Sequence, residues 1–360
     1  MESLMTADKH VLSYPLGEAQ PEAGQMMEVA AGVYWLRMPL PFALNHINVW
    51  LLRDEIDGRE GWTLIDTGVA RPEIQAHWEH VFEHGLDGLP VLRVVVTHMH
   101  PDHVGLAGWV CERWDAPLYM TMTDYMVARF WTQPDPEGSL SSGPNGRAAA
   151  AHFARHGLTD PQAQAQIAER AGYYPSLVGP LPPRFHRLLH GESLRMAGCD
   201  WQIIVGYGHA PEHAALYSAK LGVLISGDMV LPRISTNVSV FDIEPEANPL
   251  TQFLTSLHRY DDLPADTLVL PSHGHPFIGL HTRIAQLRAH HQDRLHDTYE
   301  ACAHGLSAAE LVPVLFKRQL DIHQLSFAMG EAVAHLHALW YGGTLRREQD
   351  ADGVYRFYAI

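Results

Sequence analysis

The sequence is poor in cysteine, in positive charge and in long apolar runs, and each scarcity excludes a class of protein. Its 360 residues include three cysteines, Cys111, Cys199 and Cys302, which are too far apart for a disulfide framework or a Cys-x-x-Cys pair. No run approaches the roughly 18 apolar residues of a membrane span, and the N-terminus lacks the basic and apolar stretches of a signal peptide. The sequence therefore predicts a cytoplasmic protein that does not enter a membrane.

Basic residues are outnumbered by acidic ones. The chain has 25 Lys and Arg against 41 Asp and Glu, a formal net charge of −16. The average surface field therefore repels polyanions, and nucleic-acid binding is disfavoured because phosphate contacts supply most of its affinity. A local basic patch or a dication can override that average. We expect a small-molecule substrate, keep nucleic acid as the less favoured alternative, and leave a homodimer open.

The patterning predicts an α/β protein in three parts. Apolar and alternating runs that read as strands fall at 32–37, 47–52, 62–66, 91–96, 201–205, 214–217, 223–226 and 267–270. Helical spacing is found at 71–85, 104–110, 122–131, 147–170, 282–305, 307–318 and 326–341, with Ser307 as an N-cap, and a hairpin closes the chain across Asp352-Gly353. The predicted parts are a lead-in (1–28), a central domain (29–280) with a helical insertion (120–190), and a winged-helix-like tail (281–360).

The chemistry is concentrated in one short segment, His98-Met99-His100-Pro101-Asp102-His103. It follows the β-branched run 91–96, which is typical of a strand covered on both faces, and it precedes a helix. Histidines two apart on an extended segment point the same way and can bind one metal ion, whereas Asp102 and His103 can reach a second. Four such residues in six positions, at a strand-to-helix loop, indicate a metal site rather than a chance surface cluster.

Further polar motifs follow later strands, and their order resembles that of the metallo-β-lactamase superfamily over roughly residues 30–278. The motifs are Asp66 in Leu-Ile-Asp-Thr-Gly, the His-x-His-x-Asp-His segment, Gly208-His209-Ala210-Pro211-Glu212-His213, Ser226-Gly227-Asp228, and Pro271-Ser272-His273-Gly274. The resemblance implies an αββα sandwich. The segments 331–336 and 342–345 also resemble the winged-helix tail of hydrolases related to glyoxalase II.

The same resemblance implies a ligand set and roles. One metal ion would be bound by His98, His100 and His209, and the other by Asp102, His103 and His273, with Asp228 bridging the two. Asp66 would orient ligands from behind, and His213 would make a hydrogen bond rather than bind metal. Asp102 and Asp228 are the predicted catalytic residues. Two divalent ions are expected, zinc by default, with iron or manganese compatible with the same donors.

The predicted function is hydrolysis of a small acyl substrate, a thioester, lactone or ester, by a hydroxide held between the two metal ions. The alternative is a metal-dependent phosphodiesterase or ribonuclease acting on single-stranded RNA, because some relatives with this tail cut RNA. No G-x-S-x-G, P-loop or G-x-G-x-x-G segment supports a serine nucleophile or a nucleotide cofactor.

Several residues stay open between two roles. His275 competes with His273 as ligand but fits the motif register less well, and His46 and Tyr207 are as well explained by structure as by pocket lining. The insertion's aromatic residues either line a pocket or form its core; they are Tyr125, Phe130, Trp131, Tyr173 and Tyr174. Four other histidines are interpreted as loop and surface residues: His152, His156, His186 and His190.

Overall fold

Two mixed β-sheets face each other in the computed structural model, which describes residues 11–42, 44–133 and 145–360. One buried apolar cluster draws residues from both sheets, and each of two further clusters joins one sheet to the helices outside it. The layers therefore run helix, sheet, sheet, helix. This arrangement confirms the predicted αββα sandwich.

The first sheet has seven strands in chain order, antiparallel from β1 to β4 and parallel from β4 to β7. Its strands are β1 (Met26–Ala30), β2 (Val33–Pro39), β3 (His46–Ile56), β4 (Arg59–Ile65), β5 (Val91–Val95), β6 (Leu118–Met120) and β7 (His186–Arg187).

The second sheet has six strands in the order β13-β12-β11-β10-β9-β8, and its one parallel pair is β11 with β12. Its strands are β8 (Ser193–Met196), β9 (Cys199–Gly206), β10 (His213–Ser218), β11 (Val223–Gly227), β12 (Leu268–Pro271) and β13 (Phe277–Ile278).

The period of two along each strand explains why both faces of both sheets are covered. On β3, Trp50 and Leu52 pack between the sheets, whereas Val49 and Leu51 pack against the outer helices. Successive side chains of a strand point to opposite faces, so an all-apolar strand must be buried on both. Strands such as β3, which are apolar on both faces, therefore account for the four layers.

Helices of the catalytic region lie outside the two sheets. They are α1 (Pro72–His84), α2 (Pro101–Val104), α3 (Ala107–Trp114), α4 (Met122–Trp131), α5 (Arg147–Arg155), α6 (Pro161–Glu169) and α7 (Pro249–Ser256). The predicted single helix at 147–170 is two helices, because Gly157 has a φ of +93° and Asp160 caps a new helix that Pro161 begins. Most of the predicted loop at 133–146 lies outside the described residues.

The C-terminal region consists of three helices and a hairpin. The helices are α8 (Leu280–Ala301), α9 (Ala308–Leu315) and α10 (Ile322–Tyr341), and the hairpin pairs β14 (Leu345–Gln349) with β15 (Tyr355–Ala359). Ser307 is the predicted N-cap and forms a capping box with Glu310. These elements match the prediction, while the winged-helix comparison and the domain boundaries stay predictions.

Two sequence interpretations need correction or completion. His152 and His156 are not the surface residues that the sequence predicts: both are buried, each 1% exposed, because α5 packs against the C-terminal hairpin and α10. Strands β1, β6, β7, β8 and β13 and helix α7 are elements that the sequence patterns do not predict. None of the helices within the described residues is both long and apolar enough to cross a membrane.

Candidate metal centre

The predicted ligands meet where strands of both sheets end. His98, His100, Asp102 and His103 follow β5; the others follow three strands of the second sheet, His209 after β9, Asp228 after β11 and His273 after β12. The short helix α2 begins at Pro101, directly after His100, and brings Asp102 and His103 to face the second sheet. Residues from positions 98 to 273 are thus collected at one edge of the sandwich.

One group of donor atoms consists of His98, His100, His209 and Asp228. Nε2 of His98 lies 2.9 Å from Nδ1 of His100 and 3.1 Å from Nε2 of His209, which in turn is 3.3 Å from Oδ2 of Asp228. Nitrogens bound tetrahedrally to one zinc ion at roughly 2.0–2.1 Å are about 3.3 Å apart. The four donors therefore have the spacing of a mononuclear ligand set.

The second group consists of Asp102, His103 and His273. Nε2 of His273 is 3.4 Å from Oδ2 of Asp102, and Nε2 of His103 is 3.7 Å from the same oxygen. Oδ1 of Asp228 lies 3.5 Å from His273 and 3.6 Å from His103. Asp228 thus directs one oxygen at each group, as a bridging carboxylate would.

Two buried atoms in this cluster lack hydrogen-bond partners in the part of the chain that the structure describes. They are Nε2 of His103 and Oδ1 of Asp228. A buried polar atom left unpaired costs about 1–3 kcal/mol, so natural proteins rarely leave one in that state without a reason. Both atoms point into the cluster, where a cation would satisfy them, so the residues fit a metal centre.

The charge states of the cluster also suit cations. Burial and neighbouring imidazoles hold the pKa of His98 and His100 well below the usual value, which leaves both rings neutral with a free lone pair. Burial lowers the pKa of His103, but the carboxylates of Asp66, Asp102 and Asp228 raise it by more than burial lowers it. The negative charge around this ring therefore favours a bound cation, either a proton or a metal ion that replaces it. Burial raises the pKa of Asp228, and His273 and His103 more than reverse this, so Asp228 is ionised.

Asp66 and His213 contact the proposed ligands from behind. Oδ2 of Asp66 lies 2.7 Å from Nδ1 of His103, and its Oδ1 accepts from the Thr97 backbone N–H at 2.8 Å. Nε2 of His213 accepts the backbone N–H of Asp228 at 3.0 Å. A Cβ on Gly227 would come within 2.1 Å of that nitrogen, so only glycine fits beside His213.

Three further residues position the site, and the sequence patterns do not identify their roles. Asn48 is fully buried and donates from its amide to the carbonyls of Pro271 and Gly274, on both sides of His273. Nδ1 of His273 bonds to the carbonyl of His46 at 2.8 Å, which gives His46 a structural role. The sequence does offer one signal for Asn48: it is a polar residue inside the apolar run of β3, and a buried amide needs hydrogen-bond partners.

The third of these residues, Asp124 on α4, ties together two ligand-bearing loops. It accepts the backbone N–H groups of Met99 at 2.8 Å and Glu212 at 2.6 Å, and burial raises its pKa to about 7. Met99 lies between the proposed ligands His98 and His100, and Glu212 lies between His209 and His213. No local sequence pattern marks Asp124, since an acidic residue in the first turn of a helix is ordinary.

The structure also places the residues that the sequence leaves open. His273, and not His275, belongs to the donor groups found in the described residues, and His275 packs against Trp35. Tyr207 is partly exposed beneath Arg259. Among the insertion's aromatic residues, three are core (Tyr125, Trp131 and Tyr174), whereas Phe130 and Tyr173 are at least partly exposed.

Comparison with known proteins agrees with this geometry. Residues 44–273 match the family profile described as the metallo-β-lactamase superfamily, and residues 295–360 match the metallo-β-lactamase-like C-terminal domain. A β-lactamase domain protein of Burkholderia ambifaria is 55% identical, with a TM-score of 0.90 over 97% of this chain and 98% of that one. A metallo-β-lactamase family protein of Thermus thermophilus is 30% identical, with a TM-score of 0.75 over 92% of this chain and 100% of that one.

Curated relatives are more distant. A probable metallo-hydrolase of Bacillus subtilis is 23% identical over 339 residues, 86% of this chain and 95% of the relative. A hydroxyacylglutathione hydrolase of Xylella fastidiosa is 25% identical over 236 residues, 65% of this chain and 62% of the relative. The seven converging donors and these matches lead to one conclusion: the chain belongs to the metallo-β-lactamase superfamily of metal-dependent hydrolases.

Proposed function

We propose that this protein hydrolyses a small acyl substrate, a thioester, lactone or ester, at a centre of two divalent metal ions. The observation that carries the proposal is the convergence of seven His and Asp donors into two adjoining groups that share Asp228. A structural zinc site is usually mononuclear and closed by four ligands, so this larger set favours catalysis. Zinc is the default ion, and iron or manganese suits the same donors.

Cations bound in such a centre lower the pKa of a water molecule toward neutrality and polarise the substrate oxygen. The chain supplies the rest. Asp228 and Asp102 offset the positive charge, and Asp102 has the more exposed side chain of the two, at 18% against 9%. Asp102 is therefore the carboxylate placed to accept the proton of the attacking water and to pass it to the leaving group.

A cluster of aromatic residues, which we propose as the rim of the substrate pocket, supports an acyl substrate. The ring centroid of His323, on α10, lies 5.4 Å from that of Tyr173 and 6.0 Å from that of Phe42, and all three side chains are partly exposed. Burial raises the pKa of Tyr173; Arg170 opposes this rise, and the carboxylate of the proposed ligand Asp102 adds to it. An apolar rim with a polar edge suits an acyl chain.

The relative from Xylella fastidiosa adds to this support, since its name gives an acylated glutathione as substrate. Single-stranded RNA is the competing substrate class. The net charge of −16 disfavours it, as the average field does not attract a polyanion. We therefore place acyl transfer to water first.

The test is a substrate panel assayed with metal-reconstituted protein. Thioesters, lactones, simple esters and short single-stranded RNA are compared for the wild type, His209→Ala and His186→Ala; the last removes an exposed histidine outside the site. We expect acyl turnover by the wild type and by His186→Ala, and its loss in His209→Ala. Turnover of RNA with no acyl turnover would refute the acyl proposal, and hydrolysis that survives removal of the metal would refute the centre itself.

A further inference from the structure

The segment 231–240, which leads away from Asp228, supports two of the proposed ligands. The hydroxyl of Thr236 donates to the backbone carbonyl of Asp228. The carbonyl of Asn237 lies 2.8 Å from Nδ1 of His209. A histidine that binds metal through Nε2 needs its Nδ1 proton held by an acceptor, which fixes both tautomer and ring orientation. Any shift of this segment would therefore change the orientation of the His209 ring.

The C-terminal helix α10 holds this segment through two hydrogen bonds. The side-chain amide of Asn237 donates to Oε2 of Glu331 at 3.3 Å, and the backbone N–H of Val240 donates to the carbonyl of Gly330 at 3.1 Å. The helix and the segment touch closely here, because a Cβ on Gly330 would lie 2.7 Å from Cβ of Ser239.

Helix α8 holds the other end of the segment. The guanidinium of Arg283 donates to the carbonyls of Leu231 at 2.5 Å and Ile234 at 2.8 Å. Val238 and Val240 are fully buried in the core cluster that includes residues of α8 and α10. The segment is thus fixed at both ends by the C-terminal region while its centre contacts His209 and Asp228.

We propose that the C-terminal region sets the metal affinity of the His98, His100 and His209 group through the Glu331–Asn237 hydrogen bond. This inference rests on the proposed metal centre and assigns a role to the tail that requires no direct contact with metal. Glu331 and Asn237 are positioning residues: they hold the carbonyl that orients His209. Partners of this kind typically change metal affinity by about 10–100-fold when removed.

The geometry predicts which substitutions matter. Glu331→Gln keeps an oxygen that accepts the Asn237 amide, so it should behave as the wild type. Glu331→Ala and Asn237→Ala each delete the bond from one side. Their double variant should be no worse than Asn237→Ala, which also removes the acceptor of the Ser239 hydroxyl. Glu300→Ala is the matched control, since Glu300 is an exposed glutamate on α8 away from the segment.

The experiment measures zinc release rather than turnover alone. Each full-length variant is loaded with Zn²⁺ and challenged with a chromogenic chelator, and the two release phases are resolved. The phase belonging to the His103 group is identified with Asp66→Asn, which removes the partner of His103. We expect Glu331→Ala and Asn237→Ala to weaken zinc binding at the His209 group about 10-fold, with the other phase unchanged.

Each outcome decides the matter. Equal zinc affinity in all variants, with normal wild-type loading and activity, would overturn the inference and leave the proposed function standing. Equal weakening of both phases would also overturn it, because that is the sign of general destabilisation, which thermal unfolding of the zinc-free variants measures independently. If Glu331→Ala does not fold, Asn237→Ala makes the same test without altering α10. A wild type that binds no zinc would count against the proposed function itself.

Discussion

Asp66→Asn is the most informative single substitution in this protein. Asp66 is buried and sits in the left-handed region with φ +63°, a conformation that Asn tolerates better than most residues, so the backbone should not change. The aspartate accepts three donors: Nδ1 of His103 at 2.7 Å, the backbone N–H of Thr97 at 2.8 Å and the Thr97 hydroxyl at 2.9 Å. The asparagine amide offers one oxygen and one NH₂ group in the same volume.

Either orientation of that amide places NH₂ against a donor. If NH₂ faces Thr97, a buried backbone N–H loses its partner; if it faces His103, the imidazole must move its proton to Nε2, the atom that faces the second donor group. A hydrogen bond to a charged group contributes about 1.5–3 kcal/mol, and we expect a loss of stability in that range. Metal affinity at the His103 group should fall about 10–100-fold.

Zinc affinity by chelator competition and stability by urea unfolding of the zinc-free protein measure these two effects separately. Asp54→Asn is the matched control: Asp54 is buried and lies 2.7 Å from Arg93, in a network that contains no proposed ligand. Both variants should be destabilised, and Asp66→Asn alone should lose zinc. Unchanged zinc affinity in Asp66→Asn would refute the argument that Asp66 sets the His103 tautomer.

Three further predictions test other parts of the molecule. Gly227→Ala should reduce metal loading and activity at least 10-fold. The alanine Cβ would lie 2.1 Å from Nε2 of His213 and displace this nitrogen, which accepts the backbone N–H of Asp228. Full metal loading of the variant would contradict this. Tyr173→Ala should raise KM for acyl substrates about 10-fold, the cost of losing about 1.4 kcal/mol of contact, with little change in kcat; Tyr173→Phe is the control, and an unchanged KM would remove Tyr173 from the rim. Burial lowers the pKa of His152 from 6.5 to about 4, so the folded protein resists protonation of this ring and loses stability as pH falls from 6.5 toward 4, by about 1.4 kcal/mol per pH unit. His152→Gln should flatten the pH dependence of the free energy of urea unfolding between pH 4 and 6.5. A variant with the same pH profile as the wild type would contradict this.

Much of the fold follows from periodicity alone. The runs at 47–52, 91–96 and 201–205 are mostly apolar, and each lies on an observed strand. The second run ends within a residue of its strand, whereas the strand of the first continues to Ile56 and that of the third begins at Cys199. Helix α4 begins and ends at the predicted residues, Met122 and Trp131. In such long, strongly patterned segments the local sequence determines the secondary structure. Strand β1 and the two-residue strands β7 and β13 instead form because a neighbouring strand pairs with them.

The site divides in the same way. The seven donors could be predicted because each lies in a short motif after a strand, and the structure brings all of them together. Apart from Asp66 and His213, whose roles the resemblance implies, the residues that support them could not be predicted, since their contacts join distant parts of the chain. Asn48 reaches Pro271 across 223 positions, and Glu331 reaches Asn237 across 94. No local pattern encodes such a contact, and only the packed sandwich creates it.

His152 and His156 show the limit of interpreting a residue type by its average behaviour. Histidine is often exposed, which favours surface positions for both, yet each is 1% exposed. The burial results from α5 packing against the C-terminal hairpin, whose Phe357 ring lies 6.5 Å from His156. The residues that bury these two histidines are distant in the sequence, so no local pattern predicts their burial.

Hydrolysis by this protein depends, in our proposal, on metal ions held by the seven donors. The most direct measurement is the metal content per chain, determined by elemental analysis together with acyl hydrolysis, before and after chelation and after zinc is restored. We predict close to two divalent ions per chain, loss of activity with their removal, and recovery on reconstitution. Full activity in protein shown to be metal-free would contradict the proposal.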